Sequence, residues 1–373
     1  MIKLKYSVMA LLMSCLTMTA LADNPIFKKE LTKSIHKTFD VSDDVLVGVS
    51  SRYGNIKIQT WQRNEVEVDV LIKVKCNNTN KGQQFLDGVD IDFSSTGSTV
   101  GMKTTYPDQE NASWWSSWWN NSQNINFEVH YDIKAPVGMS SELINKYGNI
   151  FQEPITGDCN VVNKYGDISL ESVHDLELDL GYGKAQLGSA NNVNIEIKYS
   201  SLTLQDCGDI SIESKYSDFN LGNVGNLILS TKYDGYTITS AKRVNYNGKY
   251  DDLKIGKVHY ISVETKNTDI RIQELSNGGA FDSKYGSVRV TKMGSFKNIN
   301  IDSKYTDYRF GIDGDFHLNF YGEYADLDIK EPYQKYHTKK DGNSLETKIY
   351  RGNKESNSQI NCEMKYGSLK LNK

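Results

Sequence analysis

The sequence predicts an all-β fold, a parallel β-solenoid with coils of about seventeen residues, and three observations carry that prediction. A tyrosine recurs at a fixed interval, apolar residues alternate by two on both sides of it, and a glycine or Asx break follows it. The tyrosines are Tyr147, Tyr165, Tyr182, Tyr199, Tyr216, Tyr233 and Tyr250, in steps of 18, 17, 17, 17, 17 and 17. Asn267 holds the next place. Tyr285, Tyr305, Tyr324 and Tyr366 follow at wider steps, and Tyr53 lies far upstream. A short fixed period means one structural unit stacked on copies of itself. A helical repeat needs about 33 residues, so seventeen fit a single turn of strand.

Within one unit, with Tyr at position zero, Leu176, Val193 and Ile210 stand six before, and Leu178, Ile195 and Ile212 four before. Ile168, Leu202 and Phe219 stand three after, and Leu170, Leu204 and Leu221 five after. A period of two is strand periodicity with one buried face. The break just past the Tyr is Gly148, Gly166, Gly183, Gly286 or Gly367, or else Ser200, Ser217, Asp234 or Asp251, and an Asx often follows. Glycine is expected to supply the unusual backbone angles of a tight corner, and Asx side chains to bond their own turn. A looser return, such as Gln205 to Asp209, completes the coil. Neighbouring coils lie about 4.8 Å apart. Each Tyr then sits over the next at a spacing suited to offset stacking, with its hydroxyl toward water or a polar partner. About twelve coils make a rod on the order of 55–60 Å long.

Charge falls in columns on the outward face. Lys146, Lys164, Lys198, Lys215, Lys232, Lys249, Lys266, Lys284, Lys304 and Lys365 precede their Tyr or Asn by one. Asp179, Glu196, Glu213, Glu264, Asp282, Asp302 and Glu363 stand three before. These read as paired acid and base ladders that keep the rod soluble. The net charge of −4 does not mark a general nucleic-acid binder.

Residues 1–22 read as a secretory signal: Lys3 and Lys5, an apolar run from Tyr6 to Leu16, then Ala20-Leu21-Ala22. Cys15, within Leu12-Met13-Ser14-Cys15, offers a competing lipoprotein reading. The expected location is therefore the periplasm, outer membrane or cell surface. No later run of 18 apolar residues exists, so no transmembrane helix is expected. Residues 23–60 hold the N-terminal segment and a first coil at Val47, Val49, Tyr53, Ile56 and Ile58. Residues 61–142 read as a β-rich insertion or cap of antiparallel strands joined by polar turns. Residues 143–373 form the main solenoid, with a polar excursion at 331–359 and a closing coil at Ile360, Cys362, Tyr366, Leu369 and Leu371. A cap is needed because an uncovered terminal coil exposes a strand edge. Cys76, Cys159, Cys207 and Cys362 show no metal spacing. Cys159 and Cys362 fall in buried columns, and a disulfide is open but unassigned.

The motifs Tyr53-Gly54-Asn55-Ile56, Tyr147-Gly148-Asn149-Ile150 and Tyr165-Gly166-Asp167-Ile168 resemble those of the DUF4097-type candidate adhesins. So does the order: one coil, a β insertion ending near Ile133-Lys134-Ala135-Pro136, then continuous coils. The resemblance covers most of the mature chain. It implies a right-handed parallel β-helix, an envelope location and an adhesive role, and it transfers no catalytic residue. The Tyr-rich corner departs from the family's plainer Ser-Gly-Asp repeats.

Two candidate binding sites stand out. Trp114, Trp115, Trp118 and Trp119 cluster in six residues. Their rings can stack on sugars, meet a membrane interface, or fold back to seal the cap. Lys254, Arg271, Arg289 and Arg309 form a basic column four after the corner. They can hold an acidic polymer or head group, or pair with Asp252, Asp269 and Asp307 on the same face. The Asp column invites calcium, but turn formation explains it better. The six histidines share no register, and GxSxG and HExxH are absent. The expectation is a non-catalytic envelope protein without cofactor or metal, meeting a glycan or a surface protein. The alternatives are a periplasmic partner of an envelope-signalling system and a polysaccharide-active β-helix enzyme.

Overall fold

The computed structural model describes residues 27–107 and 125–372. The chain opens with β1 (Lys29–Asp40), then a first coil, β2 (Leu46–Ser50) and β3 (Ile56–Trp61), flanking Tyr53. It leaves the repeat through β4 (Glu65–Cys76), helix α1 (Thr79–Gly88), β5 (Asp90–Ser95), β6 (Thr99–Thr105) and β7 (Ile125–Pro136). The repeat resumes at β8 (Ser140–Lys146), β9 (Ile150–Gln152), β10 (Cys159–Lys164), β11 (Ile168–Ser172) and β12 (Asp175–Gly181). It continues through β13 (Lys184–Lys198), β14 (Ser201–Lys215), β15 (Asp218–Lys232), β16 (Gly235–Lys249), β17 (Asp252–Met293), β18 (Asn298–Ile312) and β19 (Phe316–Ile329). β20 (Gln334–Asp341) and β21 (Ser344–Arg351) form a hairpin, and β22 (Gln359–Asn372) follows.

The solenoid is parallel and its register follows the sequence period. Lys184 lies on Ser201, Ser201 on Asp218, Asp218 on Gly235 and Gly235 on Asp252. A slip of one residue would turn every inward side chain outward, so the buried columns hold the register. Leu176, Val193, Ile210 and Leu227 form one such column, and Leu187, Leu204, Leu221 and Ile238 another; all are buried. The return between coils is tighter than the sequence suggests. Strand β14 runs unbroken through Gln205–Asp209, and Asp206 and Cys207 pair with Asn223 and Val224. Gly222 allows this: a Cβ there would stand 1.6 Å from the Gln205 carbonyl oxygen.

Both ends are closed by strands that leave the repeat and come back. At the N-terminal end β6 and β7 pair in parallel with β2 and β3, whose other edges take β8 and β9. The antiparallel strands β1, β4 and β7 flank this layer, and β5 pairs with β6. Helix α1 was not anticipated from the alternating pattern. Asn78 caps it by accepting from the Lys81 N–H, and it buries Phe85 and Leu86.

At the other end β22 is not the last coil. It sits between β18 and β19, paired in parallel with both, and β21 lies antiparallel on the outer edge of β19. The closing coil expected at residues 360–371 is thus an inner one. Its replacement as terminal coil, β19, is shielded by the hairpin, as an open edge requires. Arg351 plugs this end by donating to the Ile312 and Gly314 carbonyls. Cys76, Cys159 and Cys362 are buried and, with Cys207, all are free thiols. Burial pushes the Cys159 thiol up to about 11, so it is a core residue and not a reactive one. Among the described residues no helix is long and apolar enough to cross a membrane.

The corner glycines predict a test of coil spacing. A Cβ on Gly148 would stand 1.8 Å from the Gly54 carbonyl oxygen of the coil before. Gly148→Ala should lower stability by about 1–3 kcal/mol, read as a shifted denaturation midpoint, whereas Ser200→Ala, with a Cβ already present, should cost less.

Candidate functional site

The regular surface feature of the rod is its tyrosine edge. Each corner residue from Tyr147 to Tyr366, with Asn267 among them, is left-handed, with φ between 51° and 65°. The expectation that glycine supplies the special angle holds for Gly54 and Gly286, at φ 123° and 140°, and is corrected at the other corners. Gly148, Gly166, Gly183 and Gly367 instead make room for the backbone of the coil beneath. A left-handed residue other than glycine costs about 1–2 kcal/mol, and it persists only where its surroundings hold it. Here the corner N–H donates to a carbonyl of the next coil: Tyr147 to Lys164 at 2.8 Å, Tyr165 to Gly181 at 2.9 Å, Tyr250 to Lys266 at 3.0 Å.

The rings stack along the rod. From Tyr53 through Tyr250 the centroids are 4.9–5.3 Å apart and the planes within 14°. A second stack runs Tyr285, Tyr305, Tyr366, Tyr324 at 4.8–5.0 Å. Tyr106 and Phe127 pack edge-on against Tyr53 and finish the N-terminal end. The corner tyrosines from Tyr147 to Tyr324 stay 40–52% exposed, so ring edges and hydroxyls face solvent. The preceding lysines fold over them: Lys146, Lys215 and Lys232 place Nζ 4.9–5.1 Å from the ring centroids. Acid partners hold some of these lysines from the side, as Glu196 holds Lys198 at 2.6 Å.

Beneath the rings the corner is closed by one of two hydrogen-bond devices. In glycine coils, Asn145 and Asn163 donate to the carbonyls of Gly54 and Gly148. In the middle coils, the residue after the corner accepts the N–H of its counterpart in the coil before: Ser200 from Gly183, Ser217 from Ser200, Asp234 from Ser217, Asp251 from Asp234. Asp234 and Asp251 are buried. Asp251 also accepts from Thr231 and from the buried Tyr246 hydroxyl at 2.6 Å. Burial raises the Asp234 carboxyl to about 6, against its hydrogen bonds from Ser214, Ser217 and Lys232, and Asp251 adds repulsion. The next column, expected to bond its own turn, bonds the next coil instead: Asn149 accepts from Asp167 N–H and Asp167 from Lys184 N–H, both at 2.9 Å.

Of the basic column, Lys254 pairs with Asp252 at 2.9 Å, and Arg271 bridges Asp252 and Asp269 at 2.6 and 3.8 Å. Arg289 and Arg309 are exposed, with no ion pair among the described residues. Trp114, Trp115, Trp118 and Trp119 lie outside the described residues. One cluster escaped the sequence pattern because it spans two coils: His174 Nδ1 lies 2.8 Å from Asp158 and 3.8 Å from Asp175. The Asp158 hydrogen bond, with Asp175 nearby, raises the His174 pKa. The group is satisfied as an ion pair at the surface.

A family profile described as Toastrack DUF4097 matches residues 146–372, and the chain belongs to that family. Three solved structures resemble it. A candidate cell adhesion protein from Clostridium sporogenes is 9% identical, with 92% of this chain and 99% of that one covered and a TM-score of 0.17. A candidate adhesin from Parabacteroides distasonis is 13% identical over 76% and 95%, TM-score 0.32. One from Bacteroides fragilis is 13% identical over 75% and 96%, TM-score 0.21. A search of curated proteins finds no match.

Two outcomes follow from the corner. Tyr216 stacks on both faces. Tyr216→Ala should cost about 1–3 kcal/mol, from two ring contacts of about 0.5–1.5 each. Tyr216→Gly should recover only the backbone part; full recovery in a melting experiment would show that ring stacking adds nothing. For Asp234, the folded pKa lies above the unfolded value of about 3.9. The folded state therefore holds a proton that the unfolded state has lost between about pH 4 and 6. This contribution is present below pH 4 and disappears as pH rises through 6. Asp234→Asn should thus gain in melting temperature relative to wild type from pH 4 to pH 7; a constant difference would contradict the assignment.

Proposed function

We propose that this Toastrack chain is a non-catalytic, exported cell-envelope protein whose rigid solenoid presents a surface to a glycan or protein partner. The observation that carries the reading is the tyrosine edge. It is a long line of half-exposed aromatic rings set by backbone geometry at a regular spacing. Exposed aromatics are costly to leave in water, and contiguous ones mark interaction surfaces. Placing them at corners held between paired strands means that a partner meets a preformed surface and little ordering entropy opposes binding. The ion-paired Lys254 and Arg271 leave the basic strip a smaller share of the recognition, with Arg289 and Arg309 as its free members. The cluster Trp114, Trp115, Trp118 and Trp119 is a second contact in this reading, because four rings in six residues supply concentrated stacking area.

The test is a glycan array and an envelope-fraction capture with the mature chain, beside a variant in which the four tryptophans are alanine and the circular dichroism is native. Saturable retention by wild type is expected, reduced at least about tenfold in the variant. Equal retention by both removes the tryptophans from the site. Absence of retention on glycans and envelope proteins alike, or release of reducing sugar from a polysaccharide, would overturn the binding reading.

A further inference from the structure

We propose that the open edge at the end of the rod, residues 325–329 of β19, takes one β-strand from a partner protein, a strand that alternates apolar with basic residues. The site lies at the end of the rod and not along the tyrosine edge, so it goes beyond the surface-binding reading and is tested separately. The hairpin shields only the first half of the terminal coil. β21 pairs with residues 316–323, and the Tyr324 N–H reaches the Asn343 carbonyl at 2.9 Å. Over residues 325–329 the strand pairs with β22 on its inner side. Among the described residues no strand pairs with its outer side. The opposite end differs, because there β7 covers the whole of β3.

Backbone, core and charge together specify the occupant. In earlier coils the third residue after the corner donates its N–H to the coil that follows, as Ile56 does to Asn149 and Ile150 to Asp167, both at 2.9 Å. Leu327 holds that place in β19 and has no coil ahead. By strand alternation Ala325 and Ile329 point the same way, so three amides and three carbonyls line the open edge. The core is open there too. Two inward columns are buried at Tyr308 and Leu369, and at Phe310 and Leu371. Their last members, Leu327 and Ile329, are only half-buried. A strand with apolar residues at alternate positions would close both columns and take the free amides. The outward face of the edge carries exposed Asp326 and Asp328, with no ion pair among the described residues. Ser368 and Lys370 lie in register with them, on the inner side only. Opposite charges across a strand pair stabilise it and like charges destabilise it, so the incoming outward residues are basic. The same rule turns away a second copy of this chain, since a two-fold axis would set Asp326 and Asp328 of the two copies against each other. The hairpin's outer strand is guarded instead: β20 is exposed throughout and carries Lys335, Lys339 and Lys340, as an edge that resists pairing does.

The experiment titrates the full mature chain against fluorescently labelled peptides and reads anisotropy. The peptides are acetyl-Lys-Val-Lys-Val-Lys-Val-Lys-amide, its counterpart with Glu for Lys, and a segregated peptide with all the lysines before the valines. The alternating basic peptide should bind saturably with a Kd of about 0.1–1 mM, weaker at higher salt. The other two should bind at least about tenfold more weakly. Leu327→Pro removes an N–H that the folded chain does not use, and an edge strand tolerates proline. It should keep the native circular dichroism and weaken the alternating basic peptide at least about tenfold. Asp326→Lys combined with Asp328→Lys keeps the edge and should reverse the preference toward the glutamate peptide. If Leu327→Pro melts early, the charge reversal decides by itself. Unchanged binding in these variants would place the site elsewhere and overturn the proposal. So would equal binding of the alternating and segregated basic peptides, which would make the attraction one of charge alone, or saturable binding by none. A wild-type chain that sediments as a dimer, and as a monomer once Leu327→Pro is made, would put a second copy on the edge and also overturn it. None of these outcomes bears on the tyrosine edge, which keeps its own test.

Discussion

The structure depends on a bond that crosses from one coil to the next: the corner N–H given to a backbone carbonyl seventeen or so residues on. It pins a left-handed residue that would otherwise cost about 1–2 kcal/mol, and it does so only when the next coil is in place. The ring stack adds a second inter-coil restraint at the same point. A corner is thus unfavourable alone and favourable in company. The buried columns behave likewise, since each aliphatic packs on its equivalents above and below. Backbone strain, ring stacking and core packing all demand the same seventeen-residue step, and this agreement keeps the coil length nearly constant over so long a chain.

The interior of the corner tolerates more variety than its outline. Asparagine reaching a glycine carbonyl and a serine or aspartate receiving an amide are chemically opposite devices, yet both satisfy a backbone group that the turn would otherwise leave buried and unpaired. The change between them lies in the middle of the rod, where Ser200 begins a run that ends in the buried carboxylates Asp234 and Asp251. The acid pair is the most polar part of the core and lies in the two coils before the one where the ring is absent.

Much of the fold was legible because two periods overlap in the sequence. The period of two named the inward positions, and the period of seventeen set their stacking, so Leu176, Val193 and Ile210 fall in register as expected. What escaped was whatever the repeat does not encode. A bulky residue is a poor candidate for a left-handed turn, so the adjacent glycine drew the conformational reading that belongs to the tyrosine. Helix α1 offered only Phe85 and Leu86 as an apolar patch, too little periodicity to outweigh its alternating neighbours. The site was visible in part: the ring column could be read directly, and Asn267 was recognisable as the residue in its place. That its absence leaves Tyr250 and Tyr285 each stacked on one side only, among the described residues, required the coils to be assembled, because those residues come from separate turns.

The position of β22 changes how the stack is completed. In an ordinary stacked repeat each new turn is added on an open end, and a chain cut short is a shorter rod. Here residues 359–372 are a keystone, set between two turns that were made before them. Until they insert, β18 and β19 each carry an open edge that matches the same strand. Their direct pairing would be a premature closure that the last turn must displace. Loss of residues 359–372 would open a gap inside the stack, so the rod's integrity depends on a segment that is inserted and not appended.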